Sequence, residues 1–302
     1  MDGGTAERRY NPRSADKGKH LDKLFASYGE RFELITVPDI TQGGAFDKAV
    51  KGVDAIEHTA SPFHMKADDP AELLDPAIKG TVGMLESARR FGTSVKRIVV
   101  TSSSAAVLSE LNWNDEDVKE VEEKGRAAGP AVKYCASKTL AEKAAWDFAK
   151  KYQGQIGWDL TVLNPPWVFG PTIHEVSSPD GLNTSAHIMY DAFTKPAPAA
   201  GAGLVPWVDV RDLALAHVRA LQKEAAGAER IIVSAGPFLW QDWLDAAPPS
   251  ERYQKGTPGA GKDAVHKIRY ENGKSTRILG IEYRSMADTA AAVVADYEAK
   301  GW

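Results

Sequence analysis

The chain has 302 residues, of which 43% are hydrophobic and 26% are charged, and its formal net charge is −4. This composition is typical of a soluble globular protein, and the length allows a sizeable core. The chain carries no basic stripe and no polybasic run, so neither nucleic acid nor a membrane surface is an expected partner.

Single features exclude further classes of protein. The lone cysteine, Cys135, excludes a disulfide framework within the chain and favours the reducing cytoplasm. The N-terminus lacks the apolar segment of a signal peptide, and no stretch approaches the roughly 18 apolar residues of a membrane span. The seven histidines lack metal-ligand spacing, so no metal site is expected.

Hydrophobic periodicity predicts helices and strands that alternate from residue 14 onward. The predicted helices cover 14–28, 70–91, 132–152 and 286–300, and another starts near Asp209. The predicted strands cover 32–37, 54–59, 95–101, 160–163, 205–208 and 231–234. The polar stretch 112–130 carries no predicted element, and Pro and Gly cluster at 171–206. This alternation predicts an α/β fold with a parallel sheet.

Polar residues follow the predicted strands at the edge where ligands of such sheets bind. Ligands of parallel α/β sheets lie beyond the carboxyl ends of the strands. Asp39 and the segments 59–61, 101–103 and 164–166 all fall at those ends. Their convergence predicts a ligand site at this edge.

Three residues point to proton transfer at that site. Tyr134 and Lys138 are four residues apart on a predicted helix, so their side chains face the same way. A nearby ammonium favours the phenolate and lowers the pKa of a tyrosine, which can then exchange a proton with a substrate oxygen. The hydroxyl of Ser103, just past the strand 95–101, could hold the same oxygen.

A series of sequence strings carries a family resemblance from about residue 12 to the end. They are Val-Pro-Asp-Ile at 37–40, His-Thr-Ala-Ser-Pro-Phe at 58–63, Pro-Ala-Ile-Lys-Gly-Thr at 76–81, Thr-Ser-Ser at 101–103, 134–142, Asn-Pro-Pro at 164–166, 168–171, 182–185 and 208–212. With these strings in this order, the chain resembles the extended short-chain dehydrogenase/reductase superfamily. The nearest branch contains dihydroflavonol, cinnamoyl-CoA and methylglyoxal (ketone) reductases.

The resemblance implies a Rossmann-like parallel sheet with helices on both faces and a small irregular C-terminal substrate lobe. Residues 1–170 would form the dinucleotide-binding region. Residues 171–302 would form a substrate lobe interleaved with the last sheet strands, within a single structural unit. The implied activity is NADPH-dependent reduction of an aldehyde or ketone to an alcohol, by a monomer or weak homodimer whose partner is a small carbonyl compound.

The resemblance also assigns roles to the matched residues. Tyr134 would protonate the carbonyl oxygen, Lys138 would lower the pKa of Tyr134 and hold the nicotinamide ribose, and Ser103 would orient the carbonyl. The remaining contacts to NADP(H) would be Arg13 and Lys17 at the 2′-phosphate, Asp39 and Ile40 at the adenine, Thr59, Ala60 and Ser61 along the dinucleotide, Pro165 and Val168 at the nicotinamide, and Thr101 and Ser185. Asp209 would cap a helix and have a structural role.

The sequence departs from the family before Arg13. Residues 1–12 contain neither the usual apolar first strand nor the Gly-x-x-Gly-x-x-Gly turn, which normally brings backbone N–H groups to the pyrophosphate, and the helix that follows this turn is also missing. Weak NADPH binding and impaired activity are therefore expected. Three explanations stay open: a truncated gene product, a non-catalytic degenerate paralogue, or completion of the sheet by another chain. An epimerase or dehydratase would share the Ser, Tyr and Lys, but the string 58–63 favours the reductase branch.

Overall fold

The computed structural model describes residues 8–10, 12–196, 205–261, 266 and 268–302. The strands within these residues are β1 (Arg8–Tyr10), β2 (Phe32–Leu34), β3 (Ala55–His58), β4 (Arg97–Thr101), β5 (Asp159–Asn164), β6 (Trp167–Phe169), β7 (Val205–Asp209), β8 (Arg230–Ile232) and β9 (Gly236–Phe238). The helices are α1 (Ala15–Leu24), α2 (Ala71–Phe91), α3 (Asp115–Lys124), α4 (Pro130–Lys151), α5 (Thr184–Thr194), α6 (Val210–Gln222), α7 (Trp240–Ala246) and α8 (Met286–Ala299). No helix in this described part is long and apolar enough to cross a membrane.

The chain divides into two compact units. The first contains the described residues up to Val100 together with Asn114–Leu160, and the second contains Thr101–Trp113 and Thr161–Trp302. Strands β4 and β5 therefore contribute residues to both units. The functional boundary expected at residue 170 remains a prediction.

The first unit is built from parallel strand pairs and long helices. Strand β1 pairs in parallel with β2, and β3 pairs in parallel with β4 so that His58 lies opposite Val100. Strand β1 lies within residues 1–12, where the sequence has no apolar run and no strand was predicted. Helices α2 and α3 both pack against α4. Helix α2 ends at Gly92 as predicted, where an added Cβ would lie 2.8 Å from the Ala88 carbonyl oxygen.

The second unit combines parallel and antiparallel pairing around an aromatic core. Strand β5 pairs in parallel with β8, β6 in parallel with β7, and β7 in antiparallel with β9. Its core includes the buried side chains of Phe169, Phe193, Phe238, Trp243 and Tyr297.

Asp209 has the predicted structural role at the start of α6. Its carboxylate accepts hydrogen bonds from the Arg211 backbone N–H (2.7 Å) and from the Thr289 hydroxyl (2.7 Å). The first bond caps α6, and the second ties its start to α8. Burial, the largest influence, acts to raise the pKa of the fully buried Asp209 carboxyl, but hydrogen bonds from the Arg211 guanidinium, and then those from the Thr289 hydroxyl and the Arg211 backbone N–H, hold it below its usual value.

The predicted elements differ from the structure mainly in polar stretches. The stretch 112–130, for which no element was predicted, contains α3. Its start and stop signals are present in the sequence: Asn114 accepts from the Asp117 N–H, three acidic residues fill the first turn, and Gly125 follows. The predicted helix 14–28 is shorter because α1 ends at Leu24 and a 3₁₀ segment follows. The stretch 171–206 contains α5, capped by Asn183.

Candidate active site

Helix α4 of the first unit carries Tyr134 and Lys138 on neighbouring turns of one face. The helix begins at Pro130, whose fixed φ suits the first helical position. The Lys138 Nζ lies 5.8 Å from the centroid of the Tyr134 ring. Tyr134 is half-buried, whereas Lys138 is only 8% exposed. The expected same-face arrangement of the two side chains is therefore present.

Lys138 is a buried residue, and its ammonium has no hydrogen-bond acceptor among the described residues. Burial lowers its pKa from 10.5 to about 8, and the charge of Glu142, one turn further along α4, acts in the opposite direction. An ammonium carries three donors, and leaving them unused in a buried position is costly. This position is therefore suited to a ligand that brings hydroxyl oxygens to Lys138.

His58, at the end of β3, is a buried neighbour of Lys138 for which the sequence suggested no role. It is 5% exposed, and its Nε2 has no hydrogen-bond partner in the described part of the chain. Burial, and then the charge of Lys138, lowers its pKa from 6.5 to about 4. The imidazole is therefore neutral near pH 7 and adds no second positive charge beside Lys138. The sequence signal that could have pointed to His58 was its place at the carboxyl end of a predicted strand.

The loop that follows β3 reaches the tyrosine. Thr59 and Ala60 are exposed, and Ser61 is half-buried. Further along, the Phe63 ring packs edge-on against the Tyr134 ring, with 4.8 Å between centroids and 73° between planes. Because Phe63 is still 40% exposed, it forms an apolar wall beside the phenol.

The residues expected at the adenine lie in the segment that follows β2. The exposed Asp39 carboxylate accepts bonds from the Thr41 hydroxyl (2.7 Å) and backbone N–H (2.8 Å). These bonds lower the pKa of Asp39, with a smaller contribution from the charge of Arg13. Ile40 packs against α2 at Gly80, where an added Cβ would lie 2.8 Å from the Ile40 Cδ1. The side chain of Lys17 lies outside the described part of the structure.

Ser103 belongs to the second unit and follows β4, where hydrogen bonds hold it. It is 9% exposed, and its Oγ accepts a bond from the Ala105 N–H at 3.1 Å. The Ser103 carbonyl accepts from the Asn164 Nδ2 at 3.0 Å, and the Ser104 N–H donates to the Pro165 carbonyl at 2.9 Å. The hydroxyl hydrogen of Ser103 has no acceptor in the described residues, so it remains available to a ligand oxygen.

Four other predicted contact residues also lie in the second unit. The Thr101 Oγ1 is 2.9 Å from the Nε2 of buried His217, and the Ser185 Oγ donates to the Asn183 Oδ1 at 3.4 Å. Pro165 is buried and Val168 half-buried on β6. Their contact with a cofactor stays a prediction.

The glycine that follows β6 is explained by backbone conformation and close packing. Gly170 has φ +143°, and an added Cβ would lie 2.6 Å from the Val210 Cγ1. Both observations require glycine at this position in the string 168–171.

The comparisons with known proteins agree on one family. The model of the NAD dependent epimerase/dehydratase family matches residues 5–236. Ketoreductase azaE of Aspergillus niger is 35% identical over 296 residues, which cover 91% of this chain and 85% of that protein. The NADPH-dependent methylglyoxal reductase GRE2 of Saccharomyces cerevisiae is 34% identical over 299 residues, which cover 92% of this chain and 86% of that protein.

A solved structure extends this similarity to the fold. The crystal structure of yeast methylglyoxal/isovaleraldehyde reductase Gre2 complexed with NADPH is similar with a TM-score of 0.84 and 30% identity, covering 97% of this chain and 92% of that chain. The predicted Rossmann-like α/β fold is thereby confirmed. The chain therefore belongs to the NAD-dependent epimerase/dehydratase family, the extended short-chain dehydrogenases/reductases, and is similar to its ketoreductase and methylglyoxal reductase members.

Proposed function

We propose that the chain reduces an aldehyde or ketone to an alcohol with NADPH as the reductant. The observation that carries this proposal is the Tyr134–Lys138 pair, with the Lys138 ammonium buried next to the Tyr134 ring. The similarity to a ketoreductase and to an NADPH-dependent methylglyoxal reductase supports it. Neither a non-catalytic remnant nor an epimerase is favoured, since these relatives are reductases.

In the proposed reaction the chain supplies the proton. The Tyr134 hydroxyl gives its proton to the carbonyl oxygen, and the Lys138 ammonium stabilises the phenolate that is left. The Ser103 hydroxyl donates a hydrogen bond to the same oxygen and holds it in place. When bound, NADPH supplies the hydride that the carbonyl carbon receives. The carbonyl thus gains a hydride at carbon and a proton at oxygen, which gives the alcohol.

The described residues fit parts of this cofactor. The unpaired Lys138 ammonium matches the hydroxyls of a ribose, which are the acceptors that it lacks. Arg13 is exposed, and a planar guanidinium binds a phosphate through two parallel hydrogen bonds. Together with Lys17 it would hold the 2′-phosphate. Asp39 and Ile40 would frame the adenine, the segment 59–61 would line the dinucleotide, and Pro165 and Val168 would lie against the nicotinamide. Thr101 and Ser185 would make the remaining contacts.

The substrate class, assembly and compartment complete the proposal. The substrate is a small carbonyl compound, and Phe63 lines its pocket beside Tyr134. We propose a monomer or weak homodimer in the cytoplasm, with neither nucleic acid nor a membrane as a partner. The single cysteine supports that compartment.

The test is to express residues 1–302 and to follow NADPH consumption with a panel of small aldehydes and ketones. NADPH should be raised until its consumption no longer increases, so that the chain is saturated with the cofactor. We expect consumption that requires the carbonyl compound and yields its alcohol, identified by mass spectrometry. A folded chain that is saturated with NADPH and reduces no member of the panel would contradict the proposal.

A further inference from the structure

Lys133, the residue before Tyr134, is a buried lysine whose hydrogen bonds are all directed to backbone carbonyls. It is 3% exposed. Its Nζ donates to the carbonyl oxygens of Ala67 (3.2 Å), Asp68 (2.6 Å) and Arg126 (2.8 Å). A lysine ammonium has three N–H donors, so each of them has an acceptor.

This arrangement joins two segments that are far apart in sequence. Ala67 and Asp68 belong to the loop 59–70 between β3 and α2, whereas Arg126 belongs to the turn between α3 and α4. Burying an ammonium is unfavourable unless its hydrogen bonds are satisfied, and removing it would leave three carbonyls without their donor. The ammonium is therefore a specific cross-link between the loop 59–70 and the start of α4.

The same loop contacts α4 at the next residue as well. Phe63 packs against Tyr134, and Ala67 and Asp68 bind Lys133, so two consecutive residues of the helix hold two parts of one loop. Arg126 also forms ion pairs with Asp68 (3.2 Å) and Asp69 (3.0 Å), but its side chain is 69% exposed. Exposed pairs of this kind contribute little. Lys133 is the buried connection.

We propose that Lys133 is a positioning residue that clamps the loop 59–70 to the first turn of α4 and so holds the Phe63 ring against Tyr134. Its role in orienting Tyr134 rests on the proposed reductase function. The clamp itself does not, because it follows from the three hydrogen bonds alone.

Hydrogen exchange tests the clamp without any assay of activity. Lys133→Met keeps most of the aliphatic side chain but removes the donors, and Lys150→Met is the matched control on the exposed face of the same helix. We expect faster exchange in peptides covering 59–70 and 126–134 for Lys133→Met, and no change for Lys150→Met. Unchanged exchange in a folded Lys133→Met protein would overturn the clamp.

Kinetics test whether the clamp acts on Tyr134. Measured well below the melting temperature, kcat for Lys133→Met should fall between roughly 10-fold and 100-fold, because small displacements of reacting groups have effects of this size. Lys133→Arg, which retains a cation with several donors, should restore part of kcat. A purely structural role would lower the melting temperature but leave kcat of the folded protein within roughly twofold of the unsubstituted chain. That result would overturn the positioning role.

A double-mutant cycle tests whether Lys133 acts on Tyr134 through Phe63. If Lys133 acts through Phe63, the effects of Lys133→Met and Phe63→Ala on kcat should be non-additive, and additivity would count against the proposal. If Lys133→Met does not fold, hydrogen exchange in the unsubstituted chain tests the clamp instead. Segments 59–70 and 130–134 should then open with equal free energies, and much easier opening of 59–70 would reject the clamp. A folded, NADPH-saturated chain that reduces no carbonyl would reject the proposed function while the exchange results still decide on the clamp.

Discussion

The Phe63 ring packs edge-on against the Tyr134 ring, with 4.8 Å between their centroids. An edge-on arrangement is favourable because it brings the positive edge of one ring to the negative face of the other. The contact leaves 40% of the Phe63 side chain exposed. An apolar surface of this kind next to a tyrosine hydroxyl is suited to the hydrocarbon part of a small carbonyl substrate.

Replacing Phe63 with alanine should lower kcat/KM for the carbonyl substrate about 10-fold, since aromatic contacts contribute roughly 0.5–1.5 kcal/mol beyond the area that they bury. Steady-state kinetics on the best substrate of the panel measure the change. Met65→Ala is the matched control, because Met65 is an exposed apolar residue of the same loop. Equal effects of the two substitutions on kcat/KM would show that Phe63 does not line the substrate pocket.

Tyr134→Phe should reduce kcat by roughly 10²-fold or more, the contribution typical of a general acid. The dissociation constant of NADPH, measured by fluorescence titration, should hardly change, because the lost hydroxyl acts on the reacting oxygen. Tyr152→Phe, at the other end of α4, should have neither effect. A Tyr134→Phe protein that retains more than about a hundredth of the turnover would show that another group supplies the proton.

The activity should decline as the pH rises through about 8. Burial lowers the pKa of Lys138 to about 8, so the charge that stabilises the Tyr134 phenolate is lost above that pH. Stability should move in the opposite direction. The unfolded lysine has a pKa of 10.5, so between pH 8 and 10.5 the unfolded state binds more protons and the free energy of unfolding rises with pH.

A pH profile of kcat together with urea unfolding at each pH would check both trends. Lys138→Met should remove the rise in stability above pH 8 and should lower activity at every pH. Loss of activity that coincides with unfolding would contradict this account.

Replacing Arg13 and Lys17 together with alanine should weaken NADPH more than NADH. NADPH alone carries the extra phosphate, and hydrogen bonds to charged groups contribute roughly 1.5–3 kcal/mol, which corresponds to at least about a 10-fold difference. Fluorescence titration with both cofactors measures the ratio. Lys19→Ala, an exposed lysine of α1 paired with Asp16, serves as the control. Equal weakening of both cofactors would reject the assignment to the 2′-phosphate.

The chain should lose stability between pH 6.5 and pH 4, in part because of His58. Burial lowers the pKa of folded His58 to about 4, so in this range the unfolded state binds more protons and the free energy of unfolding falls as the pH falls. A shift of this size corresponds to roughly 3 kcal/mol. Urea unfolding at pH 7 and pH 4.5 should show a smaller loss for His58→Asn than for the unsubstituted chain. His20→Asn, in α1, should not reduce that loss.

Local rules determined much of the fold and part of the site. The apolar spacing and Gly92 fixed helix α2, the Val- and Ile-rich run predicted β4, and Asp209 was correctly predicted to cap α6. The same-face arrangement of Tyr134 and Lys138 follows from the period of a helix alone. Helix α3 was missed although its cap, acidic first turn and final glycine were all in the sequence, because a polar stretch without an apolar stripe was not considered helical.

Tertiary structure alone decided which polar groups are buried. Nothing in the sequence separates Lys133 from Lys150, yet the first is buried and the second exposed, because the acceptors at Ala67 and Asp68 lie 66 and 65 residues away along the chain. The neutral state of His58 likewise depends on its burial beside Lys138, whose position in sequence is remote. The sequence by itself determined the start of α6 at Asp209, the end of α2 at Gly92 and the shared face of Tyr134 and Lys138. Burial, and with it the charge state and partners of buried residues, depends on which elements pack together, and this is a property of the folded chain only.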